Sequence, residues 1–138
     1  MGQYHTIYNV TKKECFHIGM SKLLEKSFDP LCSTALMLLV CNSNGRGGGD
    51  LYVRATKFNE KTFTPIYSKQ DQALQKAIDK VSGRWAGDQI VIQGDYAEPT
   101  DPAFITNDQL KSFKDITKLL LSALKADSEL KQMIESEV

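Results

Sequence analysis

The segment 31–42 constrains the fold of this chain most, because it is apolar almost all round. Asp29 before it can accept hydrogen bonds from the free N–H groups of a helix start, and Pro30 suits the first helical position. The pair Asn44-Gly45 supplies a residue that can end a helix in the left-handed conformation. A helix without a polar face must be covered on all sides, so we predict a buried central helix here.

Several segments have the residue types and the alternation of β-strands. Residues 3–10 are rich in aromatic and β-branched side chains, and residues 15–18 return as a second strand after a polar turn. Residues 89–93 contain three adjacent β-branched side chains, which indicate a central strand covered on both faces. Residues 51–56 alternate like another strand, and a proline makes residues 62–67 its edge-strand partner. The predicted core joins the helix to the strand and consists of Leu36, Leu39, Val40, Ile90, Val91, Ile92, Leu120 and Leu124.

Helical patterns occupy much of the remaining chain. Ser68 and Asp71 form a capping box ahead of an amphipathic pattern. A long apolar stripe runs from Leu110 to Leu124, and a last short helix follows it. The order of the elements predicts one α+β domain over residues 1–138, with a mostly antiparallel sheet of about five strands, a buried central helix and C-terminal helices.

Composition narrows the class of protein. Hydrophobic residues make up 41% and charged residues 25%, which fits a globular chain and excludes collagen-like and disordered ones. Seventeen basic side chains balance seventeen acidic ones, so we expect neither a nucleic-acid partner nor a membrane surface. The unpaired Cys15, Cys32 and Cys41, the lack of signal-peptide features and the short apolar runs predict a cytoplasmic protein.

A glycine-rich loop, Arg46-Gly47-Gly48-Gly49-Asp50, follows the predicted central helix. Phosphate-binding loops run from a strand through glycines into a helix start, whereas this loop leaves a helix end, whose dipole repels anions. Backbone N–H groups and the arginine can still hold an anion in such a loop. The alternative is a sharp turn with positive φ angles, although three successive glycines exceed the need of one turn.

A second cluster brackets the strand at 89–93, with Trp85 and Asp88 before it and Asp95 and Tyr96 after it. The two aspartates lie roughly 20 Å apart at opposite ends of such a strand, too far for a paired general acid and base. Each carboxylate can instead cap the backbone N–H groups of a turn. The rings of Trp85 and Tyr96 are candidates for a stacking surface.

We predict that the glycine loop and the segment 85–96 share a ligand-binding cleft. Glycines let a ligand approach the backbone, while neighbouring side chains supply the contacts. In this hypothesis Arg46 contacts an anion or carboxylate, and Asp50 and Asp95 accept hydrogen bonds. The predicted ligand-binding residues are Arg46, Gly47, Gly48, Asp50, Trp85, Asp95 and Tyr96. No cofactor is expected.

The two histidines decide whether the N-terminal strands can form a metal site. A two-residue hairpin turn places Thr6 opposite His17, so that His5 and His17 point to opposite faces. A loop one residue longer brings the two histidines together beside Cys15. No standard zinc spacing accompanies them, so no metal site is expected.

Blocks of the sequence resemble a family of small, uncharacterised bacterial and bacteriophage proteins. The blocks are the opening MGQYH, the loop segment NSNGRGGGDL at 42–51 and WAGDQIVIQGDYA at 85–97, and the start of a C-terminal helix at Asp115-Ile116 is similar too. The resemblance implies a bacterial or phage context and no particular activity. Relative to that family, residues 56–82 resemble an insertion.

These features favour a non-catalytic module that binds a small ligand or a protein partner, because no nucleophile–base pair is recognisable. In a bacterial or phage setting the module would serve regulation or counter-defence by sequestering its ligand. One alternative is a small hydrolase or nucleotide-processing enzyme that uses Asp50 and Asp95. Another alternative is a self-assembling structural protein.

The end of the chain, residues 127–138, is predicted to be a peripheral helix. Its apolar stripe consists of Leu130, Met133, Ile134 and Val138. A last helix that no later element covers often packs on another subunit, so we expect a homo-oligomer. The alternative is a helix that folds back on its own domain.

Overall fold

A computed structural model describes residues 3–19, 22–47 and 50–136. The elements are β1 (His5–Asn9), β2 (Glu14–Phe16), α1 (Leu23–Phe28), α2 (Pro30–Val40), β3 (Lys57–Phe58), β4 (Pro65–Ile66), α3 (Lys69–Val81), β5 (Ile90–Gly94), α4 (Asn107–Leu110), β6 (Lys114–Asp115), α5 (Thr117–Leu124) and α6 (Ser128–Ser136). The predicted α+β class is confirmed. None of the helices in the described ranges has the length and apolar character needed to cross a membrane.

Within the described residues, β1, β2, β5 and β6 form a four-stranded sheet in the order β5-β1-β2-β6. β1 pairs antiparallel with both of its neighbours, while β6 runs parallel to β2. Ile7 lies opposite Phe16, and the same register extended by one residue places Thr6 opposite His17. The register predicted for a two-residue turn is therefore confirmed, and His5 and His17 point to opposite faces of the sheet.

Two predicted strands differ from the structure. Residues 90–94 form β5 at the edge of the sheet and not at its centre, and the Ile92 side chain is 44% exposed. Residues 51–56 form no strand and pair with no described strand. Side chains satisfy their backbone instead: Asn44 Oδ1 accepts from the Leu51 N–H, and a glutamine of α3 accepts from the Val53 N–H. β3 and β4 form a separate hairpin, so the described strands make two sheets rather than one of about five strands.

Helix α2 begins where the sequence predicts. Asp29 Oδ1 accepts a hydrogen bond from the Leu31 N–H at 2.9 Å, the expected N-terminal cap. Leu31, Ala35 and Leu39 are buried, whereas Met37 on the same helix is 70% exposed. The predicted central helix therefore exists, but one of its sides is uncovered, contrary to the prediction.

The turn after α3 closes the C-terminal end of α2. The Gly83 N–H donates to the Leu38 carbonyl at 2.9 Å, and the Trp85 N–H donates to the Leu39 carbonyl at 2.8 Å. Gly83 has a φ of +70°, and a Cβ at this position would lie 2.9 Å from the Cys41 carbonyl oxygen. The turn therefore needs glycine here, because a side chain would strain the backbone and clash with α2.

The apolar stripe at 110–124 is not one helix. It divides into α4, β6 and α5, because β6 is held beside β2. The Ile116 N–H donates to the Cys15 carbonyl at 2.9 Å, and the Lys114 N–H donates to the Lys13 carbonyl at 2.8 Å. A parallel pairing of distant segments overrides the local helical pattern.

Helix α6 folds back on its own domain. Asp127 Oδ1 caps its start by accepting from the Leu130 N–H at 3.0 Å. Leu130 and Ile134 are each only 8% exposed and belong to the core. The apolar stripe that predicted an oligomer is therefore largely covered within the chain, and Val138 lies outside the described residues.

The core lies between the sheet and helices α2, α3, α5 and α6. Of the side chains predicted to be buried together, Leu39, Leu120 and Leu124 are buried, Leu36, Ile90 and Val91 are half-buried, and Val40 and Ile92 are exposed. Ile78 and Val81 on α3 are fully buried, and α3 packs against α5. That the segment 56–82, which contains α3, is an insertion stays a prediction.

Leu39→Ala is expected to lower the free energy of unfolding by about 2–5 kcal/mol, because it removes a fully buried side chain and leaves a cavity. Met37→Ala on the same helix is the matched control and is expected to change it by less than about 0.5 kcal/mol. Urea denaturation followed by circular dichroism measures both. Equal losses in the two variants would show that α2 is not anchored through its Leu39 side.

Candidate functional site

The glycine loop is closed by its own side chains. Asn44 makes two hydrogen bonds with the backbone of Leu51, donating to its carbonyl at 2.7 Å and accepting from its N–H at 2.8 Å. Asp50 Oδ2 accepts from the Arg46 N–H at 2.8 Å and from the Gly47 N–H at 3.2 Å. The predicted site residue Gly48 lies outside the described residues.

The carboxylate of Asp50 engages two backbone N–H groups of the loop, those of Arg46 and Gly47, that an external anion would need. Its hydrogen bonds from the backbone of Arg46 and then Gly47 hold the pKa of the Asp50 carboxyl below its ordinary value. A carboxylate held in its charged form is a weak general base and a poor proton donor near neutral pH. The loop geometry therefore favours a structural turn at Asp50 over a phosphate cradle or an acid–base group.

Trp85 is not a stacking surface for a ligand, contrary to the prediction. Its side chain is fully buried and packs against Phe16, with the ring centroids 5.6 Å apart. Its Nε1–H donates to Glu14 Oε1 at 3.0 Å. Trp85 is therefore a core residue that ties the turn after α3 to β2.

The buried Glu14 and the half-buried Arg84 form an ion pair that sequence reasoning missed. Arg84 donates through Nε to Glu14 Oε1 at 3.0 Å and through Nη2 to Oε2 at 2.5 Å. These bonds, and then the bond from Trp85, hold the pKa of the Glu14 carboxyl below its ordinary value against the opposing effect of burial. No local pattern marks this pair, because its two members lie 70 residues apart in the sequence.

The two aspartates around β5 stabilise turns. Asp88 Oδ2 accepts from Asn9 Nδ2 at 2.8 Å and from the Lys12 ammonium. Both bonds lower the pKa of the Asp88 carboxyl, and the bond from Lys12 lowers it more. At the other end of β5, Asp95 Oδ1 accepts from the Tyr4 N–H at 3.0 Å. Asp95 therefore accepts from a backbone N–H, as the alternative to ligand contact predicted, whereas Asp88 binds two side chains and no backbone N–H of the described residues.

The predicted site residues lie around different cavities. Asp95 lines a cavity of about 320 Å³ together with Tyr4, Tyr8 and Phe104, and the neighbouring Tyr96 is 55% exposed. Arg46 lines another cavity with Gly83 and Ala86. Asp50 lines a third one beside α2. A single ligand that touches both the glycine loop and Asp95 stays a prediction.

A larger cavity, of about 570 Å³, lies between the residues flanking the glycine loop and helix α3. We call it the tyrosine cleft, and its lining residues are Asn44, Gly45, Tyr52, Val53, Tyr67, Asp71, Gln72, Gln75, Lys76, Asp79 and Ser82. Gly45, next to the glycine loop, has a φ of +90°, a backbone conformation that favours glycine. Sequence reasoning missed this cleft.

Hydrogen bonds fix the polar walls of the tyrosine cleft. Gln75 Oε1 accepts from the Val53 N–H at 2.9 Å, and its Nε2 donates to Asp79 Oδ1 at 2.9 Å. Asp71 Oδ2 accepts from the Ser68 N–H at 3.2 Å, which confirms the predicted capping box. These bonds use one oxygen of each carboxylate and leave the other free.

Three side chains of the cleft have polar groups available to a ligand. The hydroxyl groups of Tyr52 and Tyr67 and the ammonium of Lys76 make no hydrogen bond or ion pair with residues 3–19, 22–47 or 50–136. The guanidinium of Arg54 lies 5.3 Å from the Tyr52 ring centroid. Tyr67 is 42% exposed.

One sequence signal could have located the cleft. Gln72, Gln75, Lys76 and Asp79 recur at helical spacing and form a continuous polar stripe on α3. All four residues line the cleft.

Comparison with known proteins gives no assignment: no protein-family model, curated protein or solved structure matches this chain. The resemblance to small bacterial and bacteriophage proteins therefore stays a prediction. Among the described residues, no three His, Cys, Asp or Glu side chains cluster as metal ligands do. The function is inferred from the geometry of the chain itself.

Proposed function

We propose that this protein is a non-catalytic binding module that holds a small, uncharged, planar molecule in the tyrosine cleft. The proposal rests on the size of the cleft, on its two tyrosines, and on lining polar groups that make no hydrogen bond to the described residues. The cleft volume of about 570 Å³ falls within the range of small-molecule sites. Nucleosides and nucleobases are the class of ligand that fits this description.

The rings supply the apolar contact that such a ligand needs. Tyr52 and Tyr67 both line the cleft, and neither hydroxyl group hydrogen-bonds to a described residue, so both can donate or accept. Stacking of a base on an aromatic side chain contributes about 1–3 kcal/mol per base. The rings therefore favour a planar ligand over a flexible aliphatic one.

The α3 wall of the cleft disfavours an anionic ligand. Among the lining side chains, Asp71 and Asp79 place two carboxylates against the one ammonium of Lys76, while the Arg54 guanidinium lies on the Tyr52 ring and is not part of the lining. A phosphate would be repelled by the carboxylates, whereas hydroxyl or amino groups can donate to their free oxygens. We therefore infer an uncharged ligand that donates hydrogen bonds, such as a nucleoside rather than a nucleotide.

The alternative of a small hydrolase receives less support. It would use Asp50 and Asp95, and both carboxylates cap backbone N–H groups: those of Arg46 and Gly47 for Asp50, and that of Tyr4 for Asp95. Stable capping suits a scaffold role better than proton transfer. A cytoplasmic location, and a regulatory or counter-defence role in which the ligand is sequestered, agree with binding without turnover and follow from the sequence alone.

Adenosine and the other ribonucleosides are suitable probes. The wild-type protein is expected to show saturable binding by isothermal titration calorimetry and to release the nucleoside unchanged, as judged by liquid chromatography. Tyr67→Ala is expected to raise the Kd about tenfold or more, because it removes a stacking ring worth about 1–3 kcal/mol. Adenosine monophosphate is expected to bind more weakly than adenosine.

Tyr96→Ala is the matched control for that experiment, because Tyr96 is an exposed tyrosine outside the cleft. It is expected to leave the Kd unchanged. Loss of binding in Tyr96→Ala but not in Tyr67→Ala would move the site to the segment 85–96. Conversion of the nucleoside during incubation would replace the binding module by the enzyme alternative, and no binding of any ribonucleoside would contradict the proposal.

A further inference from the structure

We propose that the chain forms a homodimer in which β5 pairs antiparallel with β5 of a second copy. β5 is an edge strand, so one of its sides has no neighbour among the described strands. The tyrosine cleft contains no residue of β5, so this proposal stands or falls independently of ligand binding. The interface also differs from the one that the apolar stripe of α6 had predicted.

The edge of β5 that faces away from β1 carries backbone groups without a hydrogen-bond partner in the described part of the chain. The Asp95 N–H donates to the Tyr4 carbonyl at 3.0 Å, and the Val10 N–H donates to the Gln89 carbonyl at 2.9 Å, both towards β1. Hydrogen-bonded residues alternate along an antiparallel ladder, so the N–H and C=O groups of Ile90 and Ile92 point away from β1. No described residue hydrogen-bonds to these groups.

The sequence of this strand is self-complementary. Residues 89–93 read Gln-Ile-Val-Ile-Gln, which is the same in both directions. A two-fold axis at Val91 places Ile90 of one copy opposite Ile92 of the other. Both residues point their backbone groups outward, so the two Ile90–Ile92 pairs can exchange hydrogen bonds in the manner of a normal antiparallel ladder.

An apolar groove beside β5 has the shape to receive side chains of the second copy. The groove holds about 230 Å³ and is lined by Ile7, Leu23, Cys32, Leu36, Met37 and Ile92 among others. Ile90 and Ile92 lie on the same face of the sheet as Ile7. Directly paired residues share a face, so the isoleucines of the second copy arrive on the face that the groove opens to. They would cover Ile92 and Met37, which are exposed in one chain.

The edges of the two sheets differ in how they are protected. Natural edge strands avoid association through charged residues, proline or shortness. β6 at the opposite edge is two residues long and charged, and β4 contains Pro65. β5 is five residues long and has neither a charge nor a proline. The self-complementary hydrogen bonding and the unprotected apolar edge together favour a second copy of the chain as the partner that binds along β5.

Sedimentation equilibrium and light scattering measure the mass of the full chain in solution. The wild-type protein is expected to have twice the monomer mass at about 200 μM, well above a micromolar Kd. Ile92→Lys is expected to be monomeric, because it places a charge at the centre of the interface. Ile66→Lys in β4 is the matched control, since Ile66 is 49% exposed and Ile92 is 44% exposed, and it is expected to stay dimeric.

Val91→Cys tests the register. A non-hydrogen-bonded antiparallel pair brings Cα atoms to about 4.5 Å, within reach of a disulfide. Mild oxidation is expected to cross-link Val91→Cys into a dimer, while wild type and Gln93→Cys, which has no identical residue opposite, remain mostly uncrosslinked. A monomeric wild type would overturn the proposal and leave the groove for another partner. A dimer that persists in Ile92→Lys, or equal cross-linking of the two cysteine variants, would also overturn it.

Discussion

Trp85→Ala is expected to lower the free energy of unfolding by about 3–5 kcal/mol, because the largest fully buried side chain is removed from the core. The ring packs on Phe16, and its Nε1–H donates to Glu14, so the variant creates a cavity and removes a hydrogen bond to a buried carboxylate. Urea denaturation followed by circular dichroism is the measurement. Fluorescence cannot serve, because Trp85 is the only tryptophan of the chain.

Two further variants separate the contributions at this position. Trp85→Phe keeps much of the packing on Phe16 and loses the donor, so its destabilisation should fall between wild type and Trp85→Ala. Phe28→Ala removes an aromatic side chain that is exposed, and it is expected to change stability by less than about 0.5 kcal/mol. A Trp85→Ala variant as stable as Phe28→Ala would refute the burial of Trp85 and restore its predicted role as a ligand surface.

Glu14→Ala is expected to cost about 3 kcal/mol, at the lower end of the range for breaking a buried ion pair, because Arg84 keeps partial contact with solvent. The variant leaves the Arg84 guanidinium and the Trp85 Nε1–H without their shared acceptor. Glu14→Gln keeps an acceptor for Trp85 and loses only the charge, so a smaller loss is expected. Equal stability of wild type, Glu14→Ala and Glu14→Gln would show that the ion pair does not stabilise the fold.

The same pair predicts a pH dependence with a defined sign. The pKa of Glu14 is lower in the folded chain than its ordinary value of 4.5, so the unfolded chain binds the proton more tightly. The stabilisation from Glu14 is therefore complete above about pH 5 and is lost as the pH falls through the folded-state pKa. The stability difference between wild type and Glu14→Gln should be largest at neutral pH and shrink below pH 4.5. A difference that is constant from pH 7 to pH 3 would contradict the ion pair.

Local signals in the sequence predicted the features that depend on neighbouring residues. The start of α2 at Asp29 and the capping box at Ser68 and Asp71 are confirmed, because each depends on residues close in the chain. The sequence left two registers open for the first hairpin, and the structure has the one that a two-residue turn gives. The α+β class follows from the order of these local elements. Turn chemistry likewise predicted that Asp95 accepts from a backbone N–H, whereas Asp88 accepts from the side chains of Asn9 and Lys12 instead.

Pairings between distant segments could not be read from local patterns. The three β-branched residues of β5 indicate a strand but not its place in the sheet, and they lie at an edge because no later segment pairs with them. Trp85 is buried, and its Nε1–H donates to Glu14, which lies 71 residues earlier in the sequence. Leu51 and Val53 alternate as in a strand, yet Asn44 and a glutamine of α3 satisfy their backbone.

In the candidate site, too, local sequence patterns predicted some residues, and only the fold brings the others to the cleft. The sequence located the glycine loop, and Asn44 and Gly45 at its start do line the tyrosine cleft. Tyr52, Tyr67 and the polar stripe of α3 complete the cleft, and the hydrogen bond from the Val53 N–H to Gln75 of α3 holds the segment after the loop beside that helix. The residue types alone pointed to glycines and aspartates as candidate site residues. Which polar side chains line a cavity depends on the fold, so local sequence patterns could not predict it.

Mapping a bound nucleoside by NMR tests the tyrosine cleft most directly. Backbone amide shifts of the uniformly ¹⁵N-labelled full chain are recorded during a titration with adenosine. We expect the perturbed amides to cluster around Gly45, Val53, Tyr67, Gln72 and Ser82, which surround the cleft. Perturbations centred on Tyr4, Asp95 and Tyr96, or shifts that stay unchanged to saturation, would contradict a ligand site between the glycine loop and α3.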